Sequence, residues 1–168
     1  MEAVYWVIPE LLAGRPGPRR APWDLAVLWA GGLRTILSLS AEVDEKAIAA
    51  AGFRHGKFYY PPILLFTPFE KRAFLGLMDK ATRFIHGQLT EGCPTLVHCH
   101  AGKDRTGAVL AGYLMRYRGL PPEEATHRVR QANPIAMTAP GFNRLPKLFD
   151  KLLEDQLRTE NGQGGYDG

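Results

Sequence analysis

The sequence predicts one α/β domain, a central and mostly parallel β-sheet flanked by helices. Three observations lead there. At 168 residues, with 45% hydrophobic and 23% charged side chains, the chain has the size and composition of a single globular domain with its own core. Short β-branched and apolar runs alternate with amphipathic segments in the first half, and amphipathic segments dominate the second, a pattern that places helices over both faces of a sheet. Between the halves, an apolar run at residues 94–97 passes through a tight stretch into a helical pattern from Thr106.

Taken in order, residues 4–8 and 11–13 are short apolar runs split by Pro9 and Glu10 and read as an edge hairpin. Residues 14–22, rich in Gly, Pro and Arg, form a loop. Residues 23–30 carry Trp23, Ala26, Val27 and Ala30 on one helical face and stop at Gly31 and Gly32. A strand at 35–39, a helix at 42–51 ended by Gly52, and a strand-like stretch at 53–60 follow. Residues 61–68, bounded by prolines, read as a loop of unusually apolar composition. The longest helix, 69–89, aligns Phe74, Leu77, Met78, Ala81, Phe84 and Ile85 on one face.

After the strand at 94–97, small and apolar residues at helical spacing run to Arg118 and stop at Gly119. Pro121, Pro122, Glu123 and Glu124 open the next helix, with proline and acids in the first turn where both are favoured. Leu145, Leu148, Phe149, Leu152 and Leu153 mark a last amphipathic helix. Residues 158–168 hold four glycines and no apolar period, so the domain proper spans 1–157 and a flexible tail follows. No internal repeat is present.

Charge and cysteine content narrow the function. A net charge of +4 suits anionic substrates. Arg15, Arg19, Arg20, Arg128 and Arg130 are scattered without interleaved aromatics and read as solvated surface, so no nucleic-acid partner is expected. No apolar run reaches the length of a membrane span, and Glu2 breaks the basic start of a secretory leader. The two cysteines, Cys93 and Cys99, lie too far apart on an extended run to bridge. A cytoplasmic monomer without stable membrane insertion is the expectation, and a reducing compartment suits a free thiol.

The chemistry is concentrated in residues 98–107, which read HCHAGKDRTG. Cys99 ends the strand, Arg105 stands six places on, Gly102 lies between them and Thr106 follows. Free N–H groups and the dipole at the helix start make a nest for a tetrahedral oxyanion. The spacing lets the loop curl until the Arg105 guanidinium faces the sulfur, where its planar fork holds two phosphate oxygens as lysine could not. The same positive field favours Cys99 as a thiolate. A thiolate at the floor of an anion cradle is set to attack phosphorus. Other readings are weaker. An inert core cysteine leaves Gly102, Arg105 and Thr106 unexplained. A metal site of Cys93, His98, Cys99 and His100 lacks paired spacing, and neighbouring strand residues point to opposite faces. A nucleotide-binding loop would need a glycine at Val97 and a hydroxyl at Asp104.

The HC-x5-R-[ST] run resembles the signature loop of cysteine-dependent protein tyrosine and dual-specificity phosphatases. Residues 6–9, 12–14 and 32–39 are similar to the opening strands of the small atypical members. The resemblance implies the same fold and a metal-independent, cofactor-free phosphomonoesterase acting on phosphotyrosine, with phosphoserine and phosphothreonine as further substrates. It implies Cys99 as nucleophile, and His100, Ala101, Gly102, Lys103, Asp104 and Arg105 as the substrate-binding loop. His98 becomes a support of that loop, and Thr106 a hydroxyl donor to the departing sulfur or a helix cap. The usual acid, an aspartate in a separate upstream loop, is missing, because residues 46–69 contain no Asp or Glu. Asp104 stands before Arg105 instead, as in myotubularin-type lipid phosphatases and some bacterial tyrosine and lipid phosphatases, where it is considered the proton donor. Asp104 is therefore expected to act as the acid, or to cap the helix it opens. Glu70 and Asp79 are further carboxylates, read as the solvated face of the long helix. Lys103 and His100 either meet a second phosphate, as on an inositol ring, or face solvent. Tyr60 and Phe66 wall the pocket or belong to the core. Two alternatives stay open: a phosphoinositide phosphatase, and a non-catalytic phosphate-binding module. Sulfur transfer or arsenate reduction, which also use such a loop, fit the helical second half less well.

Overall fold

The computed structural model describes residues 1–62 and 67–163. Five strands, β1 (Tyr5–Ile8), β2 (Leu12–Pro16), β3 (Thr35–Ser38), β4 (Arg54–Lys57) and β5 (Thr95–Cys99), form one sheet in the order β1-β2-β5-β3-β4. β1 runs antiparallel to β2 and the other pairings are parallel. Among the described residues, six α-helices cover it: α1 (Leu25–Ala30), α2 (Glu45–Ala50), α3 (Pro68–Thr90), α4 (Asp104–Arg118), α5 (Pro122–Ala132) and α6 (Leu145–Gln163). The strand carrying Cys99 is central, and all five of its residues are buried, as a strand covered on both faces must be.

Side-chain alternation sorts the strands into two cores. Leu12, Leu37, Val97 and Cys99 face a large core with Phe74, Met78, Val109 and Phe149. Ala13, Ile36 and Leu96 face a smaller one with Leu28, Ile48 and Phe53. α3 starts in a capping box, Thr67 accepting from the Glu70 N–H while Glu70 accepts from the Thr67 N–H, with Pro68 in the first turn. α4 is buried along most of its length and depends on small residues. A Cβ on Gly112 would sit 3.0 Å from Met78 and 3.1 Å from Phe149. It ends at Gly119, which has the left-handed φ of 67° that favours glycine.

Three expectations are corrected. Residues 14–16, read as loop, extend β2, because each pairs with β5: Gly14 with Val97, Arg15 with His98 and Pro16 with Cys99. Arg15 is consequently not solvated. It is 1% exposed, lies over the Trp23 ring at 5.3 Å and donates to the Ala21 carbonyl at 3.0 Å. α6 continues to Gln163, six residues into the expected tail. No glycine or proline interrupts residues 158–161, and the Thr159 hydroxyl bonds back to the Asp155 carbonyl at 3.1 Å. The remaining tail, 164–168, lies outside the described residues. Among the described residues no helix is long and apolar enough to cross a membrane.

Phe74 ties the large core to the edge where Cys99 emerges. Its ring meets Tyr60 edge-on at 5.0 Å and Phe142 at 5.6 Å. Phe74→Ala is expected to lower the unfolding free energy by about 3–5 kcal/mol, measured by urea denaturation.

Candidate active site

The loop from Cys99 to Arg105 is drawn tight against the end of β2. Gly102 has φ 64°, and a Cβ there would lie 2.3 Å from the Arg15 carbonyl carbon and 2.4 Å from the Pro16 nitrogen. Only glycine fits that approach. The Gly102 carbonyl accepts from the Tyr5 hydroxyl at 2.5 Å and from Asn133 Nδ2 at 3.2 Å, while the His100 carbonyl accepts from the Gly17 N–H at 2.9 Å. Burial pushes the Tyr5 phenol well above its ordinary range, so it stays a neutral donor. With its carbonyls engaged behind it, the loop turns its other face to the start of α4, where unpaired N–H groups gather.

Cys99 is 2% exposed and Arg105 is 6% exposed. Arg105 Nη1 donates to the Tyr60 carbonyl at 2.6 Å and the Leu39 carbonyl at 3.3 Å. That aims the guanidinium along one edge and keeps Nε and Nη2 out of these bonds. Cys99, His100, Ala101, Asp104 and Arg105 line one cavity of about 190 Å³, closed by Pro62, Ala139 and Phe142. A recess of about 470 Å³ adjoins it, shares Pro62, His100 and Arg105, and is walled by Glu42, Tyr59 and Tyr60. Tyr60 thus joins the cavity wall and the large core alike. Phe66 lies outside the described residues. A larger groove, about 690 Å³ between α3 and α6, contains none of the loop residues.

The polar side chains Asp104, Lys103 and His100 are each partnered. Asp104 accepts from the Ala139 N–H at 3.0 Å and is paired with Lys103 Nζ at 2.9 Å. His100 Nδ1 stands 2.9 Å from a Glu42 carboxylate oxygen. Thr106 is fully buried, and among the described residues its hydroxyl has no hydrogen-bond partner. Asp79 is not a solvated face. It accepts from Arg116 at 2.6 Å and Gln156 at 3.0 Å, and Glu70 caps α3. Among the described residues no grouping of three or more His, Cys, Asp or Glu is placed to hold a metal, and both cysteines are free thiols.

His98 lies behind the loop, fully buried. Its Nε2 is 2.7 Å from Ser38 Oγ and its Nδ1 is 3.3 Å from the Cys99 carbonyl. Burial pushes its pKa down to about 4, with the nearby Arg15 cation acting in the same direction and the Cys99 carbonyl opposing. Sequence reasoning missed Arg15, Ser38, Glu42, Tyr5 and Asn133. All but Glu42 and Asn133 sit on strands, and their place beside the loop follows from strand order, which no local pattern reveals.

The fold and the site define a class: a strand, a tight loop and a helix start, with a buried cysteine and a buried arginine lining one cavity. The model of the dual specificity phosphatase catalytic domain matches residues 28–150. The chain is 29% identical over 118 residues to human protein phosphatase Slingshot homolog 3, which covers 70% of this chain and 17% of that protein. It is 30% identical over 121 residues to mouse dual specificity protein phosphatase 12, covering 72% of this chain and 34% of that one. The chain therefore spans about a third or less of the length of these relatives. The crystal structure of PTPMT1 in complex with PI(5)P superposes with a TM-score of 0.75 at 16% identity, over 93% of this chain and 99% of that one. The chain belongs to the dual specificity phosphatase family.

Native His98 resists protonation down to about pH 4, whereas in the unfolded chain it takes up a proton near pH 6.5. Between those values the unfolded state binds more protons. The contribution of neutral His98 is thus complete above pH 6.5 and is withdrawn as pH falls, by on the order of 3 kcal/mol at pH 4. Urea unfolding across this window is expected to show that loss, and to show a shallower one in His98→Gln.

Proposed function

We propose that the chain is a metal-independent phosphomonoesterase that hydrolyses phosphotyrosine, and phosphoserine or phosphothreonine where the cleft admits them, through a phosphocysteine. The observation carrying this reading is the shared cavity of Cys99 and Arg105, floored by the sulfur and set at the start of α4. The Cys99 thiolate attacks phosphorus as the ester P–O bond breaks. Arg105 Nε and Nη2 and the loop N–H groups hold the equatorial oxygens, where charge is concentrated in the transition state. Asp104 gives its proton to the leaving oxygen. A water then attacks phosphorus, Asp104 takes its proton, and the S–P bond breaks to return the thiolate and release phosphate. The buried hydroxyl of Thr106 donates to the departing sulfur.

The partnering of Lys103 and His100 favours a protein substrate. Lys103 faces the Asp104 carboxylate and His100 faces Glu42, so each is already engaged and less available to a second phosphate. A dianion in the cradle competes for Lys103, and its negative charge favours the protonated Asp104 needed for the acid step. The second reading, a phosphoinositide phosphatase, draws on Lys103 and His100 themselves and on the likeness in fold to the PTPMT1 complex.

Phosphate release from a phosphotyrosine peptide, a phosphothreonine peptide and several phosphoinositides is the test. The tyrosine peptide is expected to be preferred. Cys99→Ser should abolish turnover while retaining phosphate binding, and Asp104→Asn should lower kcat by about 10²–10⁴-fold with a smaller change in KM. Preference for an inositol lipid would establish the second reading. No turnover of any of these substrates would leave a phosphate-binding module.

A further inference from the structure

Ser38 Oγ lies 2.7 Å from His98 Nε2 and 2.8 Å from His55 Nε2. β3 and β5 pair Ser38 with His98 directly, and β4 brings His55 alongside. A hydroxyl has one proton to give, and a neutral imidazole has one N–H, so the directions of these bonds can be worked out. His98 Nδ1 faces the Cys99 carbonyl at 3.3 Å, which is favourable only if Nδ1 carries the hydrogen. His98 Nε2 is then bare and accepts from the Ser38 O–H, and the Ser38 oxygen accepts from the His55 Nε2–H. The opposite sense would set the Nδ1 lone pair against the carbonyl oxygen. The surroundings keep the chain in this state. Arg15 on β2 lies behind His98 and opposes an imidazolium there, Trp23 meets the His98 ring edge-on at 5.1 Å, and the Glu42 carboxylate acts weakly in the other direction. His55, half-buried on the edge strand, faces Glu45 at the start of α2 and Lys57 on its own strand. Protonation of His55 would add a hydrogen at Nδ1 and leave its Nε2–H donation intact.

We propose that Ser38 and His55 are positioning residues for the nucleophile, a one-way hydrogen-bond chain from the edge strand that fixes the His98 tautomer and so the Cys99 main chain. The proposal rests on the reading of Cys99 as nucleophile. Neither residue belongs to the signature loop. The donated Nδ1–H draws the negative end of the Cys99 carbonyl dipole away from the sulfur. Removing Ser38 frees His98 to take the other tautomer, which restores that dipole and disfavours the thiolate.

The test is the rate of alkylation of Cys99 by iodoacetamide as a function of pH, in a Cys93→Ser background so that one thiol reacts. Ser38→Ala and His55→Leu are expected to slow alkylation at neutral pH roughly three- to tenfold, the loss expected for one hydrogen bond. Both should also raise the pH of half-maximal rate. His55→Gln, whose side-chain amide still donates to Ser38, should return the profile toward that of the unsubstituted histidine. Thermal unfolding of each variant confirms that it is folded, and the His55 pair carries the test if Ser38→Ala is not. An unchanged pH of half-maximal rate in both Ser38→Ala and His55→Leu, whatever the rates, would overturn the proposal and leave these residues a merely structural role. Alkylation requires no turnover, so an unsubstituted protein without phosphatase activity would defeat the functional reading and leave this test standing.

Discussion

Everything at this edge of the sheet depends on how closely the loop after β5 is pressed against β2. Gly102 passes so near the Arg15–Pro16 peptide that a methyl group would overlap its backbone. That contact, with the bonds from Tyr5 and Asn133 to the Gly102 carbonyl, curls six residues tightly enough for Arg105 to return over Cys99. Without it, α4 would still present its N-terminus, but as a diffuse positive end rather than a shaped cradle. The pairing of β2 with β5 therefore does more than complete the sheet. It supplies the wall against which the loop is moulded.

The electrostatics of the site follow from the same packing. Arg15 is buried beside the loop with two of its nitrogens, Nε and Nη1, lacking a hydrogen-bond partner among the described residues. A cation in that position is costly to bury. Burial, with this cation adding to its effect, keeps His98 neutral, and a neutral imidazole can donate to the Cys99 carbonyl while accepting from Ser38. On the opposite side, Arg105 is held by carbonyls of residues 39 and 60 rather than by a carboxylate. A carbonyl orients a guanidinium without neutralising it, so the full charge remains for an oxyanion.

Much of this was legible in the sequence, for identifiable reasons. The strand–loop–helix around Cys99 is a local signal: an apolar run, a glycine in a loop, and small residues at helical spacing. α3 and α6 announce themselves through periodicity and α5 through its proline and acidic first turn, and Pro68 and Gly119 sit where the helix ends require them. What local pattern could not reveal was β2. Residues 14–16 look like loop because Gly14 and Pro16 both disfavour a strand, and only the pairing with β5, more than eighty residues away, makes them one. The misreading of Arg15 as surface followed from that. Ser38 escapes a local reading for the same reason, since its role comes from strand order. The end of α6 was read short because glycines were counted as breaking a helix that continues past the first of them.

The proposed chemistry requires the sulfur of Cys99 to become phosphorylated during turnover. The most direct measurement is acid quenching of the protein during reaction with a phosphotyrosine peptide, followed by peptide mass spectrometry. A phosphoryl group is expected on the peptide containing Cys99, present during turnover and gone once substrate is exhausted. Phosphate release with no phosphoryl group on Cys99, or with one on another side chain, would contradict that chemistry.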